Sequence, residues 1–226
     1  MKKQIVLSLS TVLLTICCGF FMFATAQNDY KISAPQTHKN LSIYLISGKD
    51  TYTGKNLLTL QEAMEKKLVV VYETSDVNEL ALENLSKEFD VFIQSGDIVK
   101  GGKQDRVLAV SIILPARSGR ILISAFCVES GRWQQRGKEE AGKFSSSNER
   151  IVSKDLKLAA NASRSQSEVW REVERTQKKL SDNVGATVNS AASRTSLQLA
   201  LENKNVAATT DEYVKIWRAQ STAKRT

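Results

Sequence analysis

Two β-forming runs, Val107–Leu114 and Arg120–Val128, flank the turn sequence Pro115-Ala116-Arg117-Ser118-Gly119. Branched and aromatic side chains favour a pleated, half-buried surface, and a Pro…Gly cluster supplies turn chemistry between them. The pattern predicts an antiparallel hairpin. Four further runs share this character: Leu41–Ile46, Leu68–Glu73, Leu80–Glu83 and Val91–Gln94, again divided by turn clusters such as Ser95-Gly96-Asp97. One helix interrupts them, where Thr59-Leu60-Gln61-Glu62 has capping-box spacing and Leu60, Ala63 and Met64 form a short apolar face. Without crossover helices between strands, a parallel sheet is disfavoured.

After the strands the chain changes character. Residues 136–164 are polar and linker-like, with Ser145-Ser146-Ser147-Asn148 as their clearest example. From Ser165 onward the pattern is helical. Ser165–Glu168 repeats the capping spacing, and Val169, Val173, Thr176 and Leu180 share one face. A second helix is predicted from about Ala191 to Asn203, and a third around Tyr213 and Trp217. The fold class expected is α+β: an antiparallel β-sandwich or open barrel over 27–135, the polar loop 136–164, and a helical C-terminal segment over 165–226.

The N-terminus reads as an export signal over residues 1–26. Lys2 and Lys3 precede an apolar run from Ile5 to Phe23, and Ala24-Thr25-Ala26 offers a cleavage site before Gln27. The alternative is an uncleaved anchor. Cleavage removes Cys17 and Cys18, so the mature chain keeps Cys127 alone and cannot form an internal disulfide. The expected location is periplasmic or secreted. Charge follows the same division. Of the net +8, two charges belong to the signal, residues 27–149 are neutral, and the remaining +6 lies beyond residue 149. Arg171, Arg175, Lys178 and Lys179 account for much of it, but Glu168, Glu172 and Glu174 are interleaved, which is the pattern of a solvated helix face. Export and mixed charge together argue against nucleic acid as a partner. Peripheral contact with an anionic envelope surface is the reading left for the tail.

Chemistry-bearing residues concentrate in two stretches. Gly101-Gly102-Lys103-Gln104-Asp105-Arg106 enters one predicted strand, and Cys127-Val128-Glu129-Ser130-Gly131-Arg132-Trp133 leaves the next. A hairpin brings both to its open end. There the glycines can present N–H groups to an anion, Arg106 and Arg132 can clamp a phosphate or carboxylate, and Trp133 offers a stacking surface. Lys103 and Gln104 complete the ligand-contacting set, while Asp105 and Glu129 are the candidates for acid–base work. The competing reading is structural, with Asp105–Arg132 or Glu129–Arg106 ion pairs closing the end of a sheet. Cys127 is expected as a buried, inert thiol, because the sole histidine, His38, is remote in sequence. One His and one Cys do not make a zinc site, so no metal is expected, and no cofactor is implied.

These two stretches, with Pro115-Ala116, Ser165-Gln166 and Val169-Trp170, resemble a bacterial domain family named for its association with ADP-ribosylglycohydrolases and rhodanese-like phosphatases. The resemblance spans roughly residues 40 to 190. It implies no defined reaction. The family's genomic company suggests ADP-ribose or nucleotide-related chemistry for some members, which is association rather than mechanism. The export signal departs from that setting, and the chain ends soon after Tyr213–Trp217, where the resemblance implies continuation. Three functional readings follow: an exported ligand-binding or structural β module that contacts a small anion, an enzyme acting on an ADP-ribose-like or phosphorylated substrate with Asp105 or Glu129 as base, and an envelope-associated interaction protein using its basic helices.

Overall fold

A computed structural model describes residues 30–49, 52, 56–147 and 152–223, with side chains to 218. The export signal and its cleavage site lie outside the described residues. The chain divides into two compact units, residues 1–53 and 54–226. The first holds four short strands, β1 (Lys31–Ile32), β2 (Gln36–His38), β3 (Leu41–Ile43) and β4 (Ile46–Ser47). They form two antiparallel ladders, β1 with β4 and β2 with β3.

The second unit begins with β5 (Leu57–Thr59) and α1 (Leu60–Glu65). Thr59 and Glu62 cap α1 reciprocally, as the sequence spacing predicts. Next come β6 (Val69–Glu73), β7 (Glu79–Asn84), β8 (Asp90–Ile93), β9 (Ile98–Gly101), β10 (Arg106–Leu108), β11 (Ile112–Leu114), β12 (Gly119–Cys127) and β13 (Phe144–Ser146). Six of them make one antiparallel sheet in the order β13-β9-β10-β12-β7-β6. Its two edges meet through a bridge between Tyr72 and Lys143 and a 3.1 Å bond from the Glu73 N–H to the Gly142 carbonyl. The sheet therefore curls into a nearly closed barrel. A three-stranded sheet, β11-β8-β5, accompanies it.

The predicted hairpin forms only at its open end. Arg106, Val107 and Leu108 pair with Cys127, Phe126 and Ala125, but the upper half splits. There β11 pairs with β8, and β12 pairs with β7. The break at residues 109–111 lets one β-forming run serve two sheets. A parallel pair also occurs, β5 with β8, with α1 inside the intervening chain.

Period-two alternation gives the barrel wall two buried faces. Val99, Leu108, Ile123 and Ala125 point into the barrel, with Val71, Leu80 and Leu82 opposite. Ile98, Val107 and Phe126 point outward, yet they are buried too, because helices cover that side. These helices are α2 (Lys154–Leu158), which continues through a π-helical turn at Ala159–Ser163, then α3 (Gln166–Val184), α4 (Leu197–Leu201) and α5 (Lys204–Ala223). Val169 and Val173 of α3 pack on Val107 and Phe126, as the helical pattern implies. None of the helices among the described residues is long and apolar enough to cross a membrane.

Segment 136–164 is not loop throughout. It supplies β13 and α2 and buries Phe144, Ser147, Leu156 and Ala160, so its polar composition belongs to an edge strand and a capped short helix. The second tail helix is shorter than expected. Residues 191–196 are spent on turns that bring Thr195 and Ser196 against the barrel, and α4 starts only at Leu197. Along α3 three of the four basic residues are paired locally, Arg171 with Glu168, Arg175 with Glu172 and Lys178 with Asp182.

Candidate functional site

The alternation that builds the wall also sorts the two chemistry-bearing stretches. On β10, Arg106 shares the inward side with Leu108, and its cross-strand partner Cys127 shares the inward side with Ala125. Glu73, the last residue of β6, follows Val69 and Val71 on their side. These three groups meet at one end of the barrel. The Arg106 guanidinium is fully buried, donates to the Val77 carbonyl at 2.7 Å and the Cys127 Sγ at 2.8 Å, and pairs with Glu73 at 3.3 Å. Its Nε finds no acceptor among the described residues. Glu73 also receives the Lys103 N–H at 3.1 Å, which ties the Gly101–Arg106 stretch to β6. The Glu129–Arg106 pair considered from sequence does not form: Arg106 takes Glu73, while Glu129 lies past the end of β12, where the chain bends, and is held by Arg132 and Arg136.

Asp105 and Glu129 lie on the outward side, where four charges interlock. Arg136 holds both Asp105 oxygens, at 2.9 and 3.0 Å. Asp105 further accepts from the Gly101 N–H at 3.0 Å and the Ser196 hydroxyl at 2.8 Å. Glu129 takes the Arg132 guanidinium at 2.7 and 2.8 Å, the Asp105 N–H at 3.1 Å and Arg136 at 3.3 Å. Arg132 also reaches the carbonyls of Gly101 and Gly102. Burial alone would raise the Glu129 pKa, but hydrogen bonds from Arg132, Ser193 and the Asp105 amide, with the Arg132 charge, outweigh it and hold the carboxyl below its ordinary range. For Arg136, burial opposes the charge, and the bonds to Asp105 and Glu139 more than restore it. This is a satisfied ionic network, and the glycine N–H expected to meet a ligand anion serves Asp105 instead.

Cys127 is buried and free. Burial pushes its thiol up to about 11; the Arg106 charge offsets part of the rise, and the charges of Glu73 and Glu129 add to it. A thiol so placed stays protonated near neutrality and is a poor nucleophile.

Side-chain amides and hydroxyls tie the helices to this end. Gln166, at the first turn of α3, accepts from the Cys127 N–H at 2.9 Å and donates to its carbonyl at 2.8 Å, standing in for a neighbouring strand. Thr195 does the same for Ser130, at 3.0 and 2.7 Å. Ser196 caps α4 and donates to Asp105 with the same hydroxyl oxygen.

One surface of the end stays open. Val77, Gln104, Cys127, Gly131, Arg132, Trp133, Gln166 and Trp170 line a shallow cleft of about 330 Å³. Trp133 and Trp170 are 46% and 38% exposed, large values for tryptophan. The Lys103 ammonium stands 5.4 Å from the centre of the Trp133 ring and the Arg106 guanidinium 5.8 Å from it, so the ring is electrostatically engaged. Lys103 donates to the Ser75 hydroxyl at 2.9 Å and has no carboxylate partner among the described residues.

Glu73, Val77, Arg136, Trp170, Thr195 and Ser196 were not among the site candidates read from sequence. Glu73 carried a signal, a charge falling on the buried side of a valine alternation. Arg136 and Ser196 carried none, because each is recruited across a turn or from a distant helix.

A nearly closed barrel, its end locked by buried ion pairs and backed by helices, defines an α+β domain in which both sequence stretches are architectural elements bordering a small cleft. The chain belongs to the ARG and Rhodanese-Phosphatase-superfamily-associated Protein domain family, which matches residues 29–223. That span exceeds the 40–190 of the resemblance and takes in the strands of the first unit and α5. No curated protein and no solved structure matches the chain.

Proposed function

We propose that the protein is an exported, non-catalytic binding module that takes a small ring-bearing ligand in the Trp133–Trp170 cleft. The observation that carries this reading is the pair of half-exposed tryptophans bordering an apolar cleft beside Lys103, which has no carboxylate partner among the described residues. Planar rings stack on indole, and Lys103 is placed to meet an anionic substituent. The cleft's volume suits a sugar or a heteroaromatic base rather than a whole dinucleotide. Gln104 and Gln166 add polar character at its floor.

The enzymatic alternative is less well supported. Asp105 and Glu129 are saturated with donors, so neither has a free lone pair for a substrate proton, and burial keeps the Cys127 thiol protonated. Local ion pairing along α3 likewise lends little to an envelope-binding role. Export rests on Lys2-Lys3, the Ile5–Phe23 run and Ala24-Thr25-Ala26. N-terminal sequencing of protein recovered outside the cytoplasm should begin at Gln27, and an intact Met1 there would overturn that part.

Binding is tested by tryptophan fluorescence against ADP-ribose, nucleotides, sugar phosphates and neutral sugars. The expected result is saturable quenching that Trp170→Ala removes and Lys103→Ala weakens for the anionic ligands alone. Absence of saturation by every member of the panel would overturn the reading.

A further inference from the structure

The Trp133–Trp170 cleft does not end at Trp170. The same indole borders a second depression of about 480 Å³, so the two share one half-exposed ring as their common edge. Helical period supplies much of the second lining. Ser167, Trp170, Arg171, Glu174 and Gln177 recur at steps of three and four and therefore share one face of α3. At about 1.5 Å of rise per residue this face runs for about 15 Å, longer than a single ring requires. The rest of the lining comes from Ser130, just past the end of β12, and from Asn189, Arg194 and Thr195 in the turns between α3 and α4.

Some of these groups are fixed and others are free. Gln177 is buried and donates to the carbonyls of Arg194 and Ser196, at 3.2 and 3.1 Å. Asn189 donates to the Arg194 carbonyl at 2.6 Å. These bonds hold the turn against α3, so the groove exists before any ligand arrives and little ordering entropy is lost on binding. The Glu174 carboxylate and the Arg194 guanidinium are both exposed, and neither makes a side-chain hydrogen bond or ion pair among the described residues. The Ser130 hydroxyl is likewise unengaged among them.

An unpaired acid and an unpaired base on one groove disfavour a charged occupant of either sign. A phosphate drawn to Arg194 also meets Glu174, and an ammonium meets the reverse. Hydroxyl groups suit both, because a hydroxyl donates to a carboxylate and accepts from a guanidinium. Both side chains are planar and two-pronged, which matches pairs of neighbouring hydroxyls. We propose that the ligand is an oligosaccharide whose first ring lies in the Trp133–Trp170 cleft and whose following, uncharged rings cross Trp170 into the groove, where Glu174, Arg194 and Ser130 take their hydroxyls. The apolar C–H face of a sugar ring rests on indole, so Trp170 serves the chain where it passes from cleft to groove. This rests on the cleft being a ring-binding site, and it names the ligand class and the direction in which the ligand extends.

The test uses the purified protein with glucose and N-acetylglucosamine oligomers from monomer to pentamer, read by tryptophan fluorescence, and AMP and ADP-ribose as ring-bearing comparators. Affinity should rise at least about tenfold from monomer to trimer in one series and then level off as the groove fills. Glu174→Gln and Arg194→Gln change exposed, unpaired positions and should leave the melting temperature unchanged. Each should remove most of the gain with length while the monomer binds as before. Raising the salt concentration should leave that gain intact, because the added rings carry no charge. Equal affinity along both series, or binding of the comparators without any sugar, would overturn the proposal and leave a single-ring cleft standing. A gain with length that survives both substitutions would also overturn it, since the added rings would then lie elsewhere. Absence of saturation by every compound, comparators included, would take the cleft reading down with it.

Discussion

Arg136 grips both carboxylate oxygens of Asp105, at 2.9 and 3.0 Å, in a pair whose acidic member is wholly buried and whose basic member is nearly so. A bidentate guanidinium–carboxylate contact in low dielectric is strong in place, and breaking one side leaves an uncompensated charge. Asp105→Ala should therefore destabilise the fold by about 3–5 kcal/mol in urea titration. Asp105→Asn, which keeps the shape and accepts fewer charge-assisted bonds, should cost less. If either variant unfolds at the wild-type urea midpoint, the network is not a structural lock.

The same network sets the acid limit. Glu129 has a folded pKa below its ordinary value, so the unfolded chain takes up the proton first as pH falls. Its contribution is present above the unfolded pKa and is lost as pH drops through the folded one. Unfolding free energy should fall on acidification below about pH 4.5, and the slope should be shallower in Glu129→Gln. A Glu129→Gln variant with the wild-type acid slope would assign the acid limit to other carboxylates.

Much of this architecture was legible beforehand. The α1 capping box, β6, the strands near 80 and 91, and the valine face of α3 follow from local pattern, and local pattern governs them in the structure. The Val107–Leu114 run was harder to read. Its residues are β-forming throughout, and nothing local marks where one half leaves β12 for β8. At the candidate site, sequence placed the two stretches together but could not say which residues leave which side of the wall. That sorting requires the register Arg106↔Cys127, which puts Arg106 with Glu73 and leaves Asp105 and Glu129 for Arg132 and Arg136. Arg136 was invisible because a turn, rather than a strand or helix period, delivers it.

Cys127 should be chemically silent in the folded protein. Its thiol is raised to about 11 and buried beneath the cleft, so a thiol reagent at pH 8 should label it rapidly only in denaturant. The linkage has a definite sign. The stabilising term is present below the unfolded pKa of 9.0 and is lost as pH rises through the folded value near 11. Stability should decline across that window in the wild type and less so in Cys127→Ser, which retains an acceptor for Arg106. Rapid labelling of the native protein would show that the cleft opens to the thiol.

Gly102 and Gly131 sit at opposite ends of the two stretches and both hold positive φ, +54° and +81°. They differ in what surrounds them. A Cβ at Gly102 would collide with the ring of Phe144, a buried residue of the barrel core, whereas a Cβ at Gly131 meets nothing within 4 Å. Gly131→Ala should thus cost only the backbone term, about 1–2 kcal/mol. Gly102→Ala adds overpacking to the same backbone term and should cost about 1–3 kcal/mol more. The ring it displaces belongs to β13, so the added strain falls on the edge that carries the Tyr72–Lys143 bridge. Amide exchange should then quicken at Phe144 and Glu73 in Gly102→Ala while staying unchanged at Val107, deep in the sheet. Equal urea midpoints for the two alanine variants would mean that Phe144 gives way freely and that the barrel seam is looser than its packing indicates.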